Sequence, residues 1–329
     1  MQHIIYILCM CLPFTSTLTT VRAQQNNVSF SPSIAIYHQG NVDVPDTTLV
    51  SKMLPTSELN INTSQTPIAA FKAGESLHYT MYYNLSFIWI KGGQADLKTT
   101  DTIYNGQPMY RAHLASYSKT VGKSLWTLRD TMVAIIDHNL RPFYYKKIVN
   151  EGHNHYTDII KYAYQPLYTR PSDTLLTSTS EDSLVTIRQT RIYQNSDTPK
   201  APYHGEYKDT AEVYDMLSFF MFARSFTASK FKINEEFQFK MVSGKHVKNK
   251  TIVYKGRKNI RLKNKEKYKC LVFSFIETKH NRKKEIVRFY ISDDHNHFPL
   301  QVNFYLSFGS AKVFMDSVEN AKYPISSKL

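Results

Sequence analysis

Cysteine is scarce in this sequence, with three residues in a chain of 329. Cys9 and Cys11 lie in an apolar N-terminal segment, so a chain cleaved behind that segment keeps only Cys270. One thiol cannot form an internal disulfide, which excludes a fold held together by disulfide bonds. The hydrophobic core must therefore stabilise the fold by itself, and a mature chain of roughly 300 residues is long enough to bury one.

The motifs of well-known catalytic sites are also absent. The sequence contains no Gly-x-Ser-x-Gly, no His-Glu-x-x-His and no glycine-rich phosphate loop. Cys270 lies in an alternating strand pattern, and the adjacent acids Glu235 and Glu236 would point to opposite faces of a strand. These absences predict a protein that is not an enzyme and needs no cofactor, although a hydrolase site built from dispersed residues stays open.

No apolar run is long enough to cross a membrane as a helix, which takes about 20 residues. The N-terminal run ends at Phe14, and Val21-Arg22-Ala23 resembles the small-x-small pattern of signal-peptide cleavage sites. We therefore expect residues 1–23 to be a signal peptide, and the mature chain to be exported without a transmembrane segment.

The rest of the chain changes character near residue 70. Residues 24–70 are rich in Asn, Ser, Thr and Pro and show no periodicity, which predicts a poorly ordered lead-in. From Phe71 onward, short runs rich in Tyr, Phe, Val, Ile and Thr end at turn residues such as Gly92-Gly93 and Asn105-Gly106. No helix-length segment separates these runs, so we expect antiparallel strands joined by tight turns.

One segment, DTAEVYDMLSFFMFARSF, breaks the strand pattern. Its apolar residues recur at helical spacing from Val213 to Met221, and Asp209 or Thr210 is a candidate N-cap. This spacing predicts a helix over residues 209–225, between β-rich halves at residues 71–208 and 226–329. The predicted fold is mainly β and antiparallel: a curved sheet, or an incomplete barrel, in two β-rich halves with one α-helix between them.

Tyrosine and phenylalanine are abundant. Both faces of the run from Tyr79 to Asn84 carry bulky side chains, as expected of a strand that is buried on both sides. Two interpretations stay open. Either the aromatic side chains line the interior of a curved sheet that holds an apolar ligand, or they fill the core between two sheets.

Positive charge is concentrated in one region. The formal net charge is +14, and residues 221–290 hold twenty Lys and Arg against five Glu, a net +15. The densest run is residues 245–269, which is typical of a solvated hairpin whose lysines face water. The same run is also a candidate anion-binding face. Its candidate binding residues are Lys255, Arg257, Lys258, Arg261 and Lys263.

The segment RFYISDDHNHFPLQV, residues 288–302, places polar residues between two alternating apolar runs. Asp293 and the two histidines are candidate metal ligands, as is a second His-Asn-His triplet at residues 153–155. Asp and Asn also form turns, and Pro299 is typical of a strand start. Because a turn accounts for every residue, we predict a hairpin here and no metal ligand.

Four segments occur in the order found in the DUF3108 family. They are GESLHYTMYYNLSFIWIKGGQADL (74–97), LRDTMVAIIDHNLRPFYYKKIVNEG (128–152), YDMLSFFMFARSF (214–226) and YISDDHNHFPLQVNFYLSFGSAKV (290–313). Most of the chain beyond residue 70 thus resembles this family of exported bacterial proteins of unassigned function, with a lead-in like that of Bacteroidetes members. The resemblance implies an envelope location, a predominantly antiparallel β structure and no established catalytic residues. Together with the expected signal peptide, it leads us to expect a periplasmic protein.

The leading hypothesis is a non-catalytic envelope protein that binds an apolar or amphiphilic ligand, such as a lipid or lipid-linked glycan, inside the curved sheet. The alternative is a structural or adaptor protein whose basic face, residues 245–269, docks an anionic envelope polymer or a partner protein. Export disfavours nucleic acid as the partner of that face.

Overall fold

A computed structural model describes residues 67–85, 88–118, 129–151, 154–166, 183–194, 200–226, 231–279, 282–306 and 309–329. The predicted signal peptide and the lead-in up to residue 66 lie outside the described residues. Ala69 and Ala70, the last two residues of the predicted lead-in, are buried. The Ala69 carbonyl also accepts a hydrogen bond from Lys322. Packing therefore begins before the first strand.

Fifteen strands and one helix make up the described part of the chain. The strands before the helix are β1 (Ser76–Leu85), β2 (Ile88–Tyr104), β3 (Gln107–Ser118), β4 (Arg129–Ile136), β5 (Pro142–Glu151), β6 (Asn154–Pro166), β7 (Ser183–Tyr193), β8 (Tyr203–Asp209) and β9 (Val213–Tyr214). Helix α1 (Met216–Ala223) follows. The strands after it are β10 (Glu236–Ser243), β11 (His246–Arg261), β12 (Lys267–Lys279), β13 (Arg282–Ser292), β14 (Pro299–Tyr305) and β15 (Ser310–Glu319).

All of these strands belong to one sheet, in the order β8-β7-β6-β5-β4-β3-β2-β1-β15-β14-β13-β12-β11-β10-β9. Neighbours pair antiparallel, except for the short parallel pair of β9 and β10. Because β1 pairs with β15, the strands before and after the helix form a single sheet. The predicted fold class, a mainly β and antiparallel structure with one helix between two β-rich halves, is confirmed.

The two edges of the sheet approach each other, which gives a nearly closed, barrel-like sheet. β8 and β9 lie at opposite ends of the strand order, yet they are consecutive in the chain. Across this seam the Tyr203 hydroxyl donates to the Lys245 carbonyl at 3.1 Å, and the Gln189 amide donates to the Gly244 carbonyl. Side-chain hydrogen bonds therefore connect the two edges.

The helix is shorter than the predicted span of residues 209–225. It begins after Asp215, the actual N-cap, whose carboxylate accepts a hydrogen bond from the Ser218 N–H at 2.8 Å. The predicted start at Asp209 is wrong, because that residue ends β8 and Val213–Tyr214 pairs with β10. Backbone pairing to a neighbouring strand thus outweighs the helical spacing of the residues before Asp215.

The two glycine-containing turn signals have different outcomes. Asn105-Gly106 joins β2 to β3, and both residues have positive φ angles of 50° and 77°, as a two-residue hairpin turn requires. Gly92-Gly93 forms no turn, because it lies inside β2 where the register with β1 shifts. A Cβ atom on Gly93 would come 2.5 Å from the Tyr117 carbonyl oxygen. Glycine is needed there for close strand approach.

Candidate functional site

A cavity of about 180 Å³ lies between α1 and the inner face of the sheet. Its wall consists of side chains from α1, from β1 to β4 and from β10 to β15, and nearly all of them are aliphatic or aromatic. The phenylalanines in the wall are Phe219, Phe220, Phe226, Phe273, Phe275, Phe289 and Phe304. A filled core would leave no such space, so the structure favours the interpretation of a lined interior.

Helix α1 forms one side of this wall because its sequence has no continuous polar face. Such a helix is buried on all sides, and α1 contacts β3, β4 and β5. On β10, Phe239 stacks against Phe219 with ring centroids 3.7 Å apart. Burial raises the pKa of the N-cap Asp215 to about 6. Hydrogen bonds from Ser218 and Tyr162 lower this pKa, but the effect of burial is larger. The helix is thereby fixed at its first turn and in its middle.

A buried ion pair joins the end of α1 to the start of β1. Arg224 donates from its two terminal nitrogens to the two carboxylate oxygens of Glu75, at 2.6 and 3.0 Å. The side chains are only 2% and 1% exposed. The guanidinium also donates to the Asn296 carbonyl, and it lies 5.4 Å from the ring centroids of both Phe71 and Phe298. A buried charge requires such a partner, so the pair holds three chain segments together.

Arg224, Tyr79 and His297 are the main polar side chains in the cavity wall. The His297 ring nitrogen Nδ1 lies 2.6 Å from the Arg224 carbonyl oxygen and therefore donates to it. Burial lowers the pKa of His297, so the ring is neutral near pH 7. The Tyr79 hydroxyl is buried and has no hydrogen-bond partner among the described residues. Burial also raises the pKa of Tyr79, which keeps this hydroxyl protonated.

The turn predicted at residues 293–297 joins β13 to β14. Asp294 and Asn296 of this turn are buried, whereas His295 is exposed. The Asn296 side-chain amide donates to the Tyr323 carbonyl at 2.9 Å, and the Asp294 carboxylate accepts from the Ser327 hydroxyl at 2.6 Å. The polar residues that form the turn thus also hold the C-terminal segment against the sheet.

The histidines of the two His-Asn-His triplets have other contacts. The ring of His295 packs near Tyr323, and His155 Nδ1 lies 3.2 Å from the Asn150 side chain. His153 lies outside the described residues. Within the described ranges, no three or more His, Cys, Asp or Glu residues gather into a group that could hold a metal ion.

Charged side chains lie on the inner face of the sheet from β5 to β7, next to the cavity residue Met132 of β4. In the register of the sheet, Met132 is opposite Lys147, Lys147 is opposite Asp158, and Asp158 is opposite Arg191. Directly paired residues share a face, so this buried row faces inward with Met132, which lines the cavity. Arg191 and Asp158 form a two-pronged ion pair with distances of 2.5 and 2.6 Å. The interior is therefore apolar around the cavity and charged beyond it.

The candidate anion-binding residues all lie on β11 or in the turn after it, and all are exposed. They are Lys255, Arg257, Lys258, Arg261 and Lys263. Arg257 pairs with Asp293 at 2.8 Å, and the Lys263 ammonium lies 4.8 Å from the centroid of the Tyr82 ring. The structure places the five residues on one exposed segment, and anion binding by them stays a prediction.

Sequence reasoning does not identify Glu75, Tyr79 or Arg224 as site residues. Glu75 and Arg224 are 149 positions apart, and no local pattern pairs them. The signal that points to Arg224 is its position directly after the apolar segment MLSFFMFA, because a charged residue there enters a buried environment. Tyr79 carries no signal beyond its place in an alternating strand.

The fold and the cavity define a class of protein: a barrel-like, antiparallel β-sheet with an apolar interior that contains one helix. The model of the family "Protein of unknown function (DUF3108)" matches residues 78–316. The chain therefore belongs to this family, and the resemblance inferred from the four sequence segments is confirmed. The match runs from β1 to β15 and includes both the cavity and α1.

A solved structure similar to this chain is the beta-barrel-like protein of domain of unknown function DUF1849 from Brucella abortus. The two share 8% sequence identity with a TM-score of 0.46, and the alignment covers 76% of this chain and 99% of that chain. No curated protein matches the chain. In the ranges that the structure describes, no helix combines the length and apolar character required to span a membrane.

Proposed function

We propose that this chain is a non-catalytic binding protein that holds an apolar or amphiphilic molecule, such as a lipid or lipid-linked glycan, in the cavity between α1 and the sheet. The observation that supports this function is an almost entirely apolar wall around a space of about 180 Å³. Water is poorly held there, because a buried water makes about two to four hydrogen bonds. An apolar group instead gains about 0.8 kcal/mol for each CH₂ removed from water.

The size of the cavity limits what it encloses. An engineered apolar cavity of about 150 Å³ binds benzene, so this slightly larger space accommodates one ring or a short segment of one chain. A lipid with two chains is too large to be enclosed whole. We therefore propose that one apolar chain or ring enters the cavity, while the rest of the molecule stays outside it.

A periplasmic location is part of the same proposal. It is supported by the signal-like pattern of residues 1–23 and by the implied export of family members. Lipids and lipid-linked glycans are available at the two membranes that enclose the periplasm. Fractionation of the native host should recover the chain with periplasmic markers and shortened at its N-terminus, and recovery of full-length protein in the cytoplasm would contradict export.

Native mass spectrometry tests the binding function directly. The full chain is purified from its own envelope without detergent, and its mass is compared with that of the same protein after extraction with organic solvent. We expect an additional mass that the extraction removes and that partitions into the organic phase. A protein that is consistently empty across growth conditions would contradict the proposal.

A second candidate function is suggested by the exposed side chains of Lys258 and Arg261 on β11. This function is the docking of an anionic envelope polymer or a partner protein. Charge reversal at Lys258, Arg261 and Lys263 together should then release the protein from the envelope. If the cavity alone carries the function, the same variant keeps its location and its bound molecule.

A further inference from the structure

The Tyr79 hydroxyl is an exception to the rule that buried polar groups are hydrogen-bonded. The residue lies on β1 between Ala95 of β2 and Met315 of β15, and its side chain is part of the cavity wall. It is only 6% exposed, and its hydroxyl has no partner among the described residues. Among the described residues, one other buried side-chain atom lacks a hydrogen-bond partner, Ser243 Oγ. Ser243 is not in the cavity wall.

The neighbouring charged groups do not supply the missing partner. Both carboxylate oxygens of Glu75 accept from Arg224, and the guanidinium donates its further hydrogen bonds to the Asn296 carbonyl. Neither group forms a hydrogen bond with the Tyr79 hydroxyl. A single water is also a poor partner, since the surrounding side chains are apolar and offer it few further hydrogen bonds.

We infer that the Tyr79 hydroxyl donates a hydrogen bond to an uncharged oxygen of the bound molecule. The ligand class is then an apolar chain or ring that carries a ketone, ester or alcohol oxygen on the part that enters the cavity. This inference rests on the proposed function and adds the chemistry by which the cavity recognises its ligand.

The same geometry disfavours a carboxylate at this point. Arg224 is already neutralised by Glu75, so the pair adds no net positive charge to the cavity. A second carboxylate would be desolvated and repelled by Glu75, and Arg224, the one Lys or Arg among the described wall residues, is already paired with Glu75. A neutral oxygen has only to match one donor. The Tyr79 hydroxyl is that donor, because burial keeps it protonated.

Three probes of nearly equal shape separate these possibilities. Acetophenone carries a neutral oxygen, cumene replaces the carbonyl oxygen by a methyl group, and benzoate carries a charge. Each is titrated by calorimetry into the full chain after organic extraction of any co-purified molecule. The variant Tyr79→Phe removes the hydroxyl alone. We expect it to weaken acetophenone binding on the order of fivefold, the effect of one net hydrogen bond, and to leave cumene binding within a factor of about two.

A matched control is Tyr268→Phe. Tyr268 of β12 is about as buried as Tyr79, but it is not in the cavity wall, and its hydroxyl donates to Glu266 at 2.7 Å. This variant should lower the thermal midpoint and leave acetophenone affinity unchanged. Tyr79→Phe should show the reverse pattern, with a midpoint equal to or above that of the wild type because it removes an unpartnered hydroxyl.

The outcomes distinguish the inference from the function on which it rests. If none of the probes binds the wild-type protein, the proposed function fails and the inference fails with it. If cumene and acetophenone bind but Tyr79→Phe affects both alike, the apolar cavity stands and the role of Tyr79 is overturned. Tighter binding of benzoate than of acetophenone, or a lower midpoint for ligand-free Tyr79→Phe, would also overturn it.

Discussion

Strand β11 contributes residues to two candidate functional regions, the apolar cavity and the basic run. The polar groups of the cavity are buried, whereas those of the basic run are exposed to solvent. Ile252 of β11 lines the apolar cavity, whereas the residues from Lys255 to Arg261 include the exposed cations of the basic run. The basic run gives the strongest signal in the sequence, yet exposed ion pairs contribute little to stability because water and salt screen them. The cavity gives almost no signal, yet it contains a buried ion pair and an unpartnered hydroxyl. Burial, rather than charge density, therefore identifies the region where single groups matter most.

The largest effect is expected at the buried ion pair beside the cavity. Glu75→Gln keeps the shape of the side chain but leaves the charge of Arg224 buried without its counter-charge. Breaking such a pair typically costs about 3–5 kcal/mol of the free energy of unfolding, which urea denaturation measures.

The matched control is the exposed pair between Lys283 and Glu236, whose ammonium and carboxylate lie 2.6 Å apart. Lys283→Gln should reduce the free energy of unfolding by less than about 1 kcal/mol. Equal effects in the two variants would remove the distinction between the buried and exposed regions.

The next effect is a pH dependence that originates at the N-cap of α1. Burial raises the pKa of Asp215 from 3.8 to about 6, so the folded state binds this proton more tightly than the unfolded state. The stabilisation by the proton is complete below pH 3.8 and is lost as the pH rises to about 6. Each pKa unit corresponds to about 1.4 kcal/mol, so the free energy of unfolding should fall by roughly 3 kcal/mol across this window.

Asp215→Asn isolates this contribution. Asparagine is also a good N-cap, but it does not titrate, so the decline between pH 4 and pH 6 should be absent from the variant and should therefore appear in the difference between the two proteins. His297 titrates in both proteins and cancels in that difference. An identical pH profile for the wild type and the variant would contradict the assignment to Asp215.

The smallest effect is expected on the basic face. The combined variant Lys258→Glu, Arg261→Glu and Lys263→Glu changes exposed side chains only. Its free energy of unfolding should stay within about 1 kcal/mol of the wild type, and its affinity for acetophenone should be unchanged. A loss of acetophenone binding in this variant would place the apolar site near the basic run and away from the cavity.

Local patterns account for most of the fold. Alternation of apolar residues predicts the antiparallel strands, and Asn105-Gly106 predicts the hairpin between β2 and β3, because both depend on near neighbours in the chain. Prediction from local patterns fails where pairing with a strand that is distant in the sequence determines the local structure. Gly93 lies inside β2 because it pairs with Met81 of β1 and Ser118 of β3, and Val213–Tyr214 joins the sheet because β10 lies beside it.

The candidate site is less predictable for the same reason. The cavity depends on where α1 packs against the sheet, and the pairing of Glu75 with Arg224 depends on contacts between segments 149 positions apart. The polar residues from Asp293 to His297 show how local and distant effects combine. Their turn follows from the residue types, whereas the burial of Asp294 and Asn296 under the C-terminal segment depends on Tyr323 and Ser327.

The central claim, that the cavity binds the apolar ligand, is tested most directly by filling it. Ala95 of β2 lies in the wall, and Ala95→Leu adds three carbon atoms to the space that a ligand would occupy. Thr100→Leu introduces the same side chain at an exposed position of the same strand. Calorimetric titration with cumene should show an affinity reduced by about tenfold or more in Ala95→Leu, which corresponds to about two CH₂ groups excluded from the cavity. Thr100→Leu should bind like the wild type, and undiminished binding by a folded Ala95→Leu protein would contradict the account.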